Sequence, residues 1–212
     1  MLKSAYIRLL ETLSHDMHYP VDKKSRVFRL YRVVINHTSI YNSFSSNLEH
    51  AREIYRELAH HLKRDYHFWL QFGSLELDYG ELDVAANYLE QAYAFAPSDD
   101  FVLTTRAQLR YKQSCAATTL EAGARLRDQA REILRIQILN RPNDHYPVHI
   151  YCAQELAWIH RWLYGTAEKK DALEELRQFA YSAEQKHTSC SEIREIVKQI
   201  KNAYLDVAKP VS

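Results

Sequence analysis

Glycine and proline are scarce: 4 Gly and 5 Pro among 212 residues. An all-β chain needs a turn signal at nearly every strand end, so that scarcity excludes a sandwich or barrel and leaves helices. The glycines Gly73, Gly80, Gly123 and Gly165 stand apart, so no glycine-rich phosphate loop exists and nucleotide binding within this chain is not expected. Cysteine is equally sparse. Cys115, Cys152 and Cys190 form an odd, scattered set without a CxxC pair, which fits reduced thiols in a cytosolic compartment better than a disulfide framework. None lies in a nucleophile motif, so no catalysis is expected.

Charge of one sign is also missing. The 28 Lys+Arg nearly cancel 27 Asp+Glu, and without a long single-sign run nucleic acid is disfavoured as the main partner. No stretch approaches the roughly 20 apolar residues that cross a bilayer as a helix. Arg8 and Glu11 interrupt the apolar N-terminal stretch, so it lacks the core of a signal peptide. A soluble, cytoplasmic chain is expected.

What is present is a repeat. Ala51, Tyr55 and Leu58 recur 34 residues later as Ala85, Leu89 and Ala92, both sets at offsets of zero, four and seven, which is one stripe of an α-helix. Between the stripes run Trp69, Leu70, Phe72, Gly73 and the turn residue Gly80, and Pro97 follows the second stripe. This pattern resembles the tetratricopeptide repeat (TPR), most specifically over Tyr66 to Asp99 and suggestively elsewhere. The resemblance implies an all-α, right-handed solenoid of about four to five helical hairpins with a C-terminal closing helix, each hairpin burying an apolar face against its neighbour. One residue departs from the family pattern: Glu76 stands where an aromatic is usual, and Tyr79 is expected to fill part of that space.

The rest of the chain is read as a continuation of one TPR-like domain over residues 1–212. Residues 1–47 form a less regular N-terminal hairpin, with a helix over Leu2 to Leu13, a break at Pro20, a stripe of Val27, Leu30, Tyr31, Val34 and Ile35, and a turn over Asn42 to Asn47. Residues 48–208 hold the repeats and the closing helix. Asp99 and Asp100 are expected to cap a helix starting near Phe101. Pro97 and Pro142 lie 45 residues apart, so the next unit is long, with its additional residues around Ser114 to Gly123. Ala130 and Leu134 take the places of Ala85 and Leu89, while Gln137 replaces Ala92. A further hairpin has Pro147 in or near a first helical turn, a helix over Tyr151 to Tyr164, a break at Gly165, and a second stripe of Ala172, Leu176, Phe179 and Ala183. Ser191 to Val207 closes the array, with Ile193, Ile196, Val197, Ile200, Tyr204 and Leu205 on one side.

The first helices of successive pairs line the concave side of such an array, where polar side chains grip a peptide or protein. The candidate partner-binding residues are therefore Gln71, Ser74 and Asp78, then Arg106 and Arg110, then Gln154 and Arg161. Arg106 and Arg110, one turn apart, can clamp a carboxylate, although the Lys and Asn carboxylate clamp known in the family is not matched. Trp158 and Trp162 either seal the third hairpin or form a ledge for a partner, with core the expected role. His145, His149 and Cys152 share offsets of zero, four and seven, but Pro147 is expected to put His145 ahead of the helix. Two ligands remain where a structural zinc takes four, so no metal and no cofactor are expected. His187 and Cys190 are another two-ligand fragment, and the adjacent His60 and His61 diverge on a helix.

These features point to a protein-protein interaction scaffold or adaptor whose ligand is a protein or peptide in the concave groove. The chain also looks like the sensing TPR tail of a larger bacterial signalling or antiphage STAND-type NTPase. A metal-dependent enzyme built on His149 and Cys152 is a distant third reading.

Overall fold

The computed structural model describes residues 62–208 and residues 48, 49, 52, 53, 55, 56 and 59. The N-terminal elements expected before residue 48 lie outside the described residues, as do Ala51 and Leu58 of the first stripe. Every regular element among the described residues is an α-helix: α1 (Tyr66–Tyr79), α2 (Leu82–Phe95), α3 (Asp100–Ala116), α4 (Leu120–Asn140), α5 (His145–Trp162), α6 (Glu168–Lys186) and α7 (Ser191–Ala208). The chain divides into two compact units that meet within α3, between Thr105 and Arg106.

In the first unit, Asp65 starts α1 by accepting a hydrogen bond from the His67 amide at 3.0 Å. Gly80 ends the helix, and α2 turns back to pack against α1. The contact is built from a missing side chain. A Cβ on Gly73 would lie 2.7 Å from Leu89 Cγ, and Ala85, Leu89 and Ala92 are all fully buried. Tyr55, from the helical residues before α1, stacks on Phe72 at 4.6 Å, and Phe72 stacks on Tyr88 at 3.9 Å. After α2 and Pro97, Asp99 caps α3 by accepting from the Val102 amide at 3.0 Å and also receives the Tyr66 hydroxyl at 3.0 Å.

Glu76 corrects the sequence expectation. Its carboxylate is buried and held by two hydrogen bonds from Arg52, both 2.7 Å. The space where the repeat pattern favours an aromatic is thus taken by an ion pair, and Tyr79 is 38% exposed rather than filling it.

In the second unit α5 packs against α4, α6 and α7, and α6 packs against α7, joined by short connections that make sequential helices neighbours. Thr119 caps α4 by accepting from the Ala122 amide at 3.2 Å. Gly123 therefore sits inside the first turn of α4. A Cβ there would lie 2.8 Å from the Ser114 carbonyl oxygen and 3.1 Å from Trp162 Nε1. Ala130 and Leu134 are fully buried as expected, and Gln137 is buried with them. Pro147 occupies the third position of α5, because Asp144 is the N-cap and His145 the first helical residue. The first four amides of a helix have no partner within it, so a proline is tolerated there and does not displace His145. On α6 the buried stripe is Leu173, Leu176, Ala180 and Ala183, with Ala172 and Phe179 only half-buried at its edge. Gly165 takes a φ of +75° in the α5–α6 turn, a region that glycine enters without steric cost. No helix among the described residues is long and apolar enough to cross a membrane.

The Gly73 contact yields a prediction whose sign is informative. At an open helix position Gly→Ala gains about 1 kcal/mol of helix propensity, whereas overpacking a filled contact costs about 1–3 kcal/mol. Gly73→Ala should therefore lower the melting temperature. A rise in a thermal melt would mean that α1 and α2 do not meet there.

Candidate functional site: a basic cleft in the second unit

Arg127, Arg131 and Arg135 recur every four residues along α4, which aligns them on one helix face. They line a cleft of about 370 Å³ together with Tyr151 and Glu155 of α5 and Glu175, Leu176 and Phe179 of α6. Ile138 and Leu139 extend its apolar wall, and Leu139 is 78% exposed.

Glu155 sits in the buried part of this site, with its carboxylate satisfied from three directions. Tyr111 donates its hydroxyl at 2.5 Å, and Arg127 donates from Nε at 3.0 Å and from Nη2 at 2.5 Å. Arg131 Nε lies 3.7 Å away. Burial first, and then the Glu155 charge, drive the Tyr111 phenol far above its ordinary pKa, so it remains a neutral donor. The Arg127 guanidinium carbon also lies over the Trp158 ring, 3.9 Å from its centroid, a cation–π contact strengthened by desolvation.

The three arginines differ in how far their charge is committed. Arg127 is fully engaged by Glu155 and Trp158. Arg131 is shared: Nη2 donates to the Tyr151 hydroxyl at 3.1 Å, and a weaker ion pair at 3.8 Å reaches the exposed Glu175. Burial works against its charge, but Glu155 and Tyr151 outweigh that, leaving its pKa raised. Its Nε is buried and makes no hydrogen bond. Arg135 stands exposed at the rim. Three guanidiniums against two carboxylates, Glu155 and Glu175, leave the cleft with an excess of positive charge.

None of the seven sequence-selected residues lines this cleft. Gln71 and Ser74 are buried, because the face of α1 that carries them packs inward, which removes them from an open groove. Asp78 is exposed at the end of α1. Arg106 and Arg110 are half-buried on α3, and Arg110 donates to Gln113 Oε1 at 3.2 Å. Gln154 is half-buried. Arg161 is exposed, donates to the Cys115 carbonyl at 3.2 Å and lies 5.2 Å from the Trp162 ring. Trp158 is 4% exposed, and half-buried Trp162 donates Nε1 to the Ser114 carbonyl at 3.0 Å, so both are tied into the fold.

The sequence-selected ligand triplet does not converge either. Cys152 is 1% exposed within the core, and burial, helped by Glu155, pushes its thiol up to about 12. His149 is half-buried, and burial lowers its pKa. His145 instead meets Cys190 and Glu192.

No family model matches the chain, and neither a curated protein nor a solved structure matches it.

The carboxylate at the heart of the site can be tested by removal. Stranding a buried charge by deleting its partner typically costs about 3–5 kcal/mol, while replacing a whole buried ion pair by apolar residues is often neutral. Glu155→Leu should be strongly destabilising in urea denaturation. Adding Arg127→Met and Tyr111→Phe should recover much of the loss, whereas additive losses would mean that the three groups do not act together.

Proposed function

We propose that this chain is a protein-recognition module without catalysis of its own, built as a TPR-like α-solenoid. Its second unit takes an acidic, apolar segment of a partner protein in the cleft between α4, α5 and α6. The carrying observation is the Arg127, Arg131 and Arg135 ladder beside an apolar wall of Ile138, Leu139, Leu176 and Phe179. A guanidinium matches a carboxylate in shape and charge, and the aliphatic wall suits the apolar neighbours of that carboxylate. The volume, about 370 Å³, is at the small end of ligand sites and suits a few side chains of a peptide rather than a folded domain. The α1–α2 hairpin supports the TPR-like reading through the close approach of Gly73 to Leu89 and the burial of Ala85, Leu89 and Ala92.

Arg135 and Leu139 are the residues to change, because both are exposed and neither belongs to the buried Glu155 network. In fluorescence anisotropy against a peptide library, the full chain should prefer peptides that place Asp or Glu beside Leu or Ile, and the affinity should fall with salt. Arg135→Glu should weaken the best such peptide by about 30-fold, the scale of a 2 kcal/mol interface anchor, with stability changed by less than about 0.5 kcal/mol. Equal binding of neutral and acidic peptides, or affinity unchanged in Arg135→Glu, would overturn this assignment.

A further inference from the structure

Away from the cleft, three side chains of metal-ligating type converge at the end of the second unit where α5 and α7 begin. His145 is the first residue of α5, fixed by the Asp144 cap, whose side chain accepts from the Tyr146 amide at 3.0 Å. Cys190 closes the α6–α7 turn, its amide donating to the His187 carbonyl at 2.9 Å. Glu192 lies in the first turn of α7. An imidazole nitrogen, a thiol sulfur and a carboxylate oxygen from these residues all lie within 4.8 Å of one another. Cys190 Sγ is already 3.2 Å from Glu192 Oε2.

We propose that His145, Cys190 and Glu192 form a binding site for a zinc-type divalent cation, with water at the fourth position. Bond lengths of about 2.0–2.3 Å place the donors of a tetrahedral zinc about 3.3–3.8 Å apart. The observed separations, up to 4.8 Å, therefore need to close by about 1.5 Å or less, a movement within reach of the exposed His145 and Glu192 side chains. The backbone that carries them is held more firmly: α5 and α7 pack together, and Val148 and Ile193, close to the ligands in sequence, belong to the same buried core.

The donor set selects the metal. Sulfur, nitrogen and one carboxylate oxygen suit Zn²⁺ or Co²⁺, whereas Mg²⁺ and Ca²⁺ demand oxygen donors throughout. A thiolate and a carboxylate also balance the two positive charges, with His145 binding as the neutral imidazole. Binding releases the Cys190 proton to solvent. The metal joins the α6–α7 turn to the start of α5, a link between residues 45 positions apart in the chain, and stabilises the folded unit by mass action.

The test uses the full chain, reduced and metal-free, titrated with Co²⁺ alone and followed by absorbance. The expected result is an equimolar complex showing tetrahedral d–d bands and a thiolate-to-cobalt charge-transfer band, displaced by Zn²⁺, together with a rise in melting temperature on adding Zn²⁺. Cys190→Ser should abolish the charge-transfer band. His145→Gln and Glu192→Gln should each weaken binding by more than about tenfold, since losing even a residue that only orients a ligand costs about 10–100-fold. Circular dichroism of the metal-free variants should match the parent, because His145 and Glu192 are exposed and Cys190 only packs against the edge of the core. Cys115→Ser and Cys152→Ser should leave the spectrum intact. Absence of the charge-transfer band in the parent, its survival in Cys190→Ser, or its loss in a folded Cys115→Ser would overturn the site.

Discussion

A buried carboxylate governs the second unit. Glu155 gathers Tyr111 from α3 and Arg127 and Arg131 from α4 around one point on α5, so three helices meet on a single charge. Taking ions out of water costs several kcal/mol each, and that cost is offset only when geometry and additional hydrogen bonds are good. Here the bond from Tyr111 and the two-point grip of Arg127 supply them. We infer that the network serves register more than net stability. A slip of one residue along α5 would turn Glu155 by about 100°, leaving the carboxylate and Arg127 without each other.

The first unit uses the same device. Glu76 on α1 is buried and gripped at two points by Arg52 from the helical residues that precede it, as Glu155 on α5 is gripped by Arg127 of the preceding α4. The spacings are similar, 24 residues in one case and 28 in the other. In both, a position inside an apolar helix contact is given to a charge whose partner lies on the preceding helix. Apolar contacts hold helices together with little directional preference, and these ion pairs add direction where the stripes alone would permit sliding.

The α1–α2 hairpin was legible because its signals are local: Gly73, Gly80, Ala85, Leu89 and Ala92 lie within 20 residues, and Gly73 and Leu89 meet inside that window. The stripe on α6 was misplaced at its edge for a related reason. Phe179 looks like a core residue by hydrophobicity, but Ala180 is the position that faces inward, because close helix approach selects the small side chain. Pro147 lies in the first helical turn, as its sequence position suggests, but it does not put His145 ahead of the helix, because at the third position of α5 no intrahelical amide bond is lost. The cleft was half legible. The four-residue spacing of Arg127, Arg131 and Arg135 is visible in sequence, but the pairing with Glu155 spans 28 residues and no periodicity announces it. The cluster of His145 with Cys190 and Glu192 was hidden in the same way, as two fragments that only the packing of α5 on α7 brings together.

On the proposed reading the arginine ladder joins these two themes, with one stripe on α4 serving both folding and recognition in graded proportion. Arg127 is spent on Glu155 and Trp158, which anchors the inner end of the cleft. Arg131 divides itself between Glu155, Tyr151 and Glu175, and its buried Nε without a hydrogen bond can gain from a better acceptor. Arg135 reaches the rim beside exposed Leu139. A carboxylate arriving from solvent therefore meets Arg135 first, where desolvation is cheap and the attraction is screened. Moving inward it competes with Glu175 for Arg131, in a setting of lower dielectric where each bond counts for more. Glu155 remains with Arg127 throughout, so ligand capture need not disturb the charge that sets the register of α5. In the proposed mode, affinity for an acidic segment would be set by the outer two arginines, while Arg127 stays committed to Glu155 and Trp158.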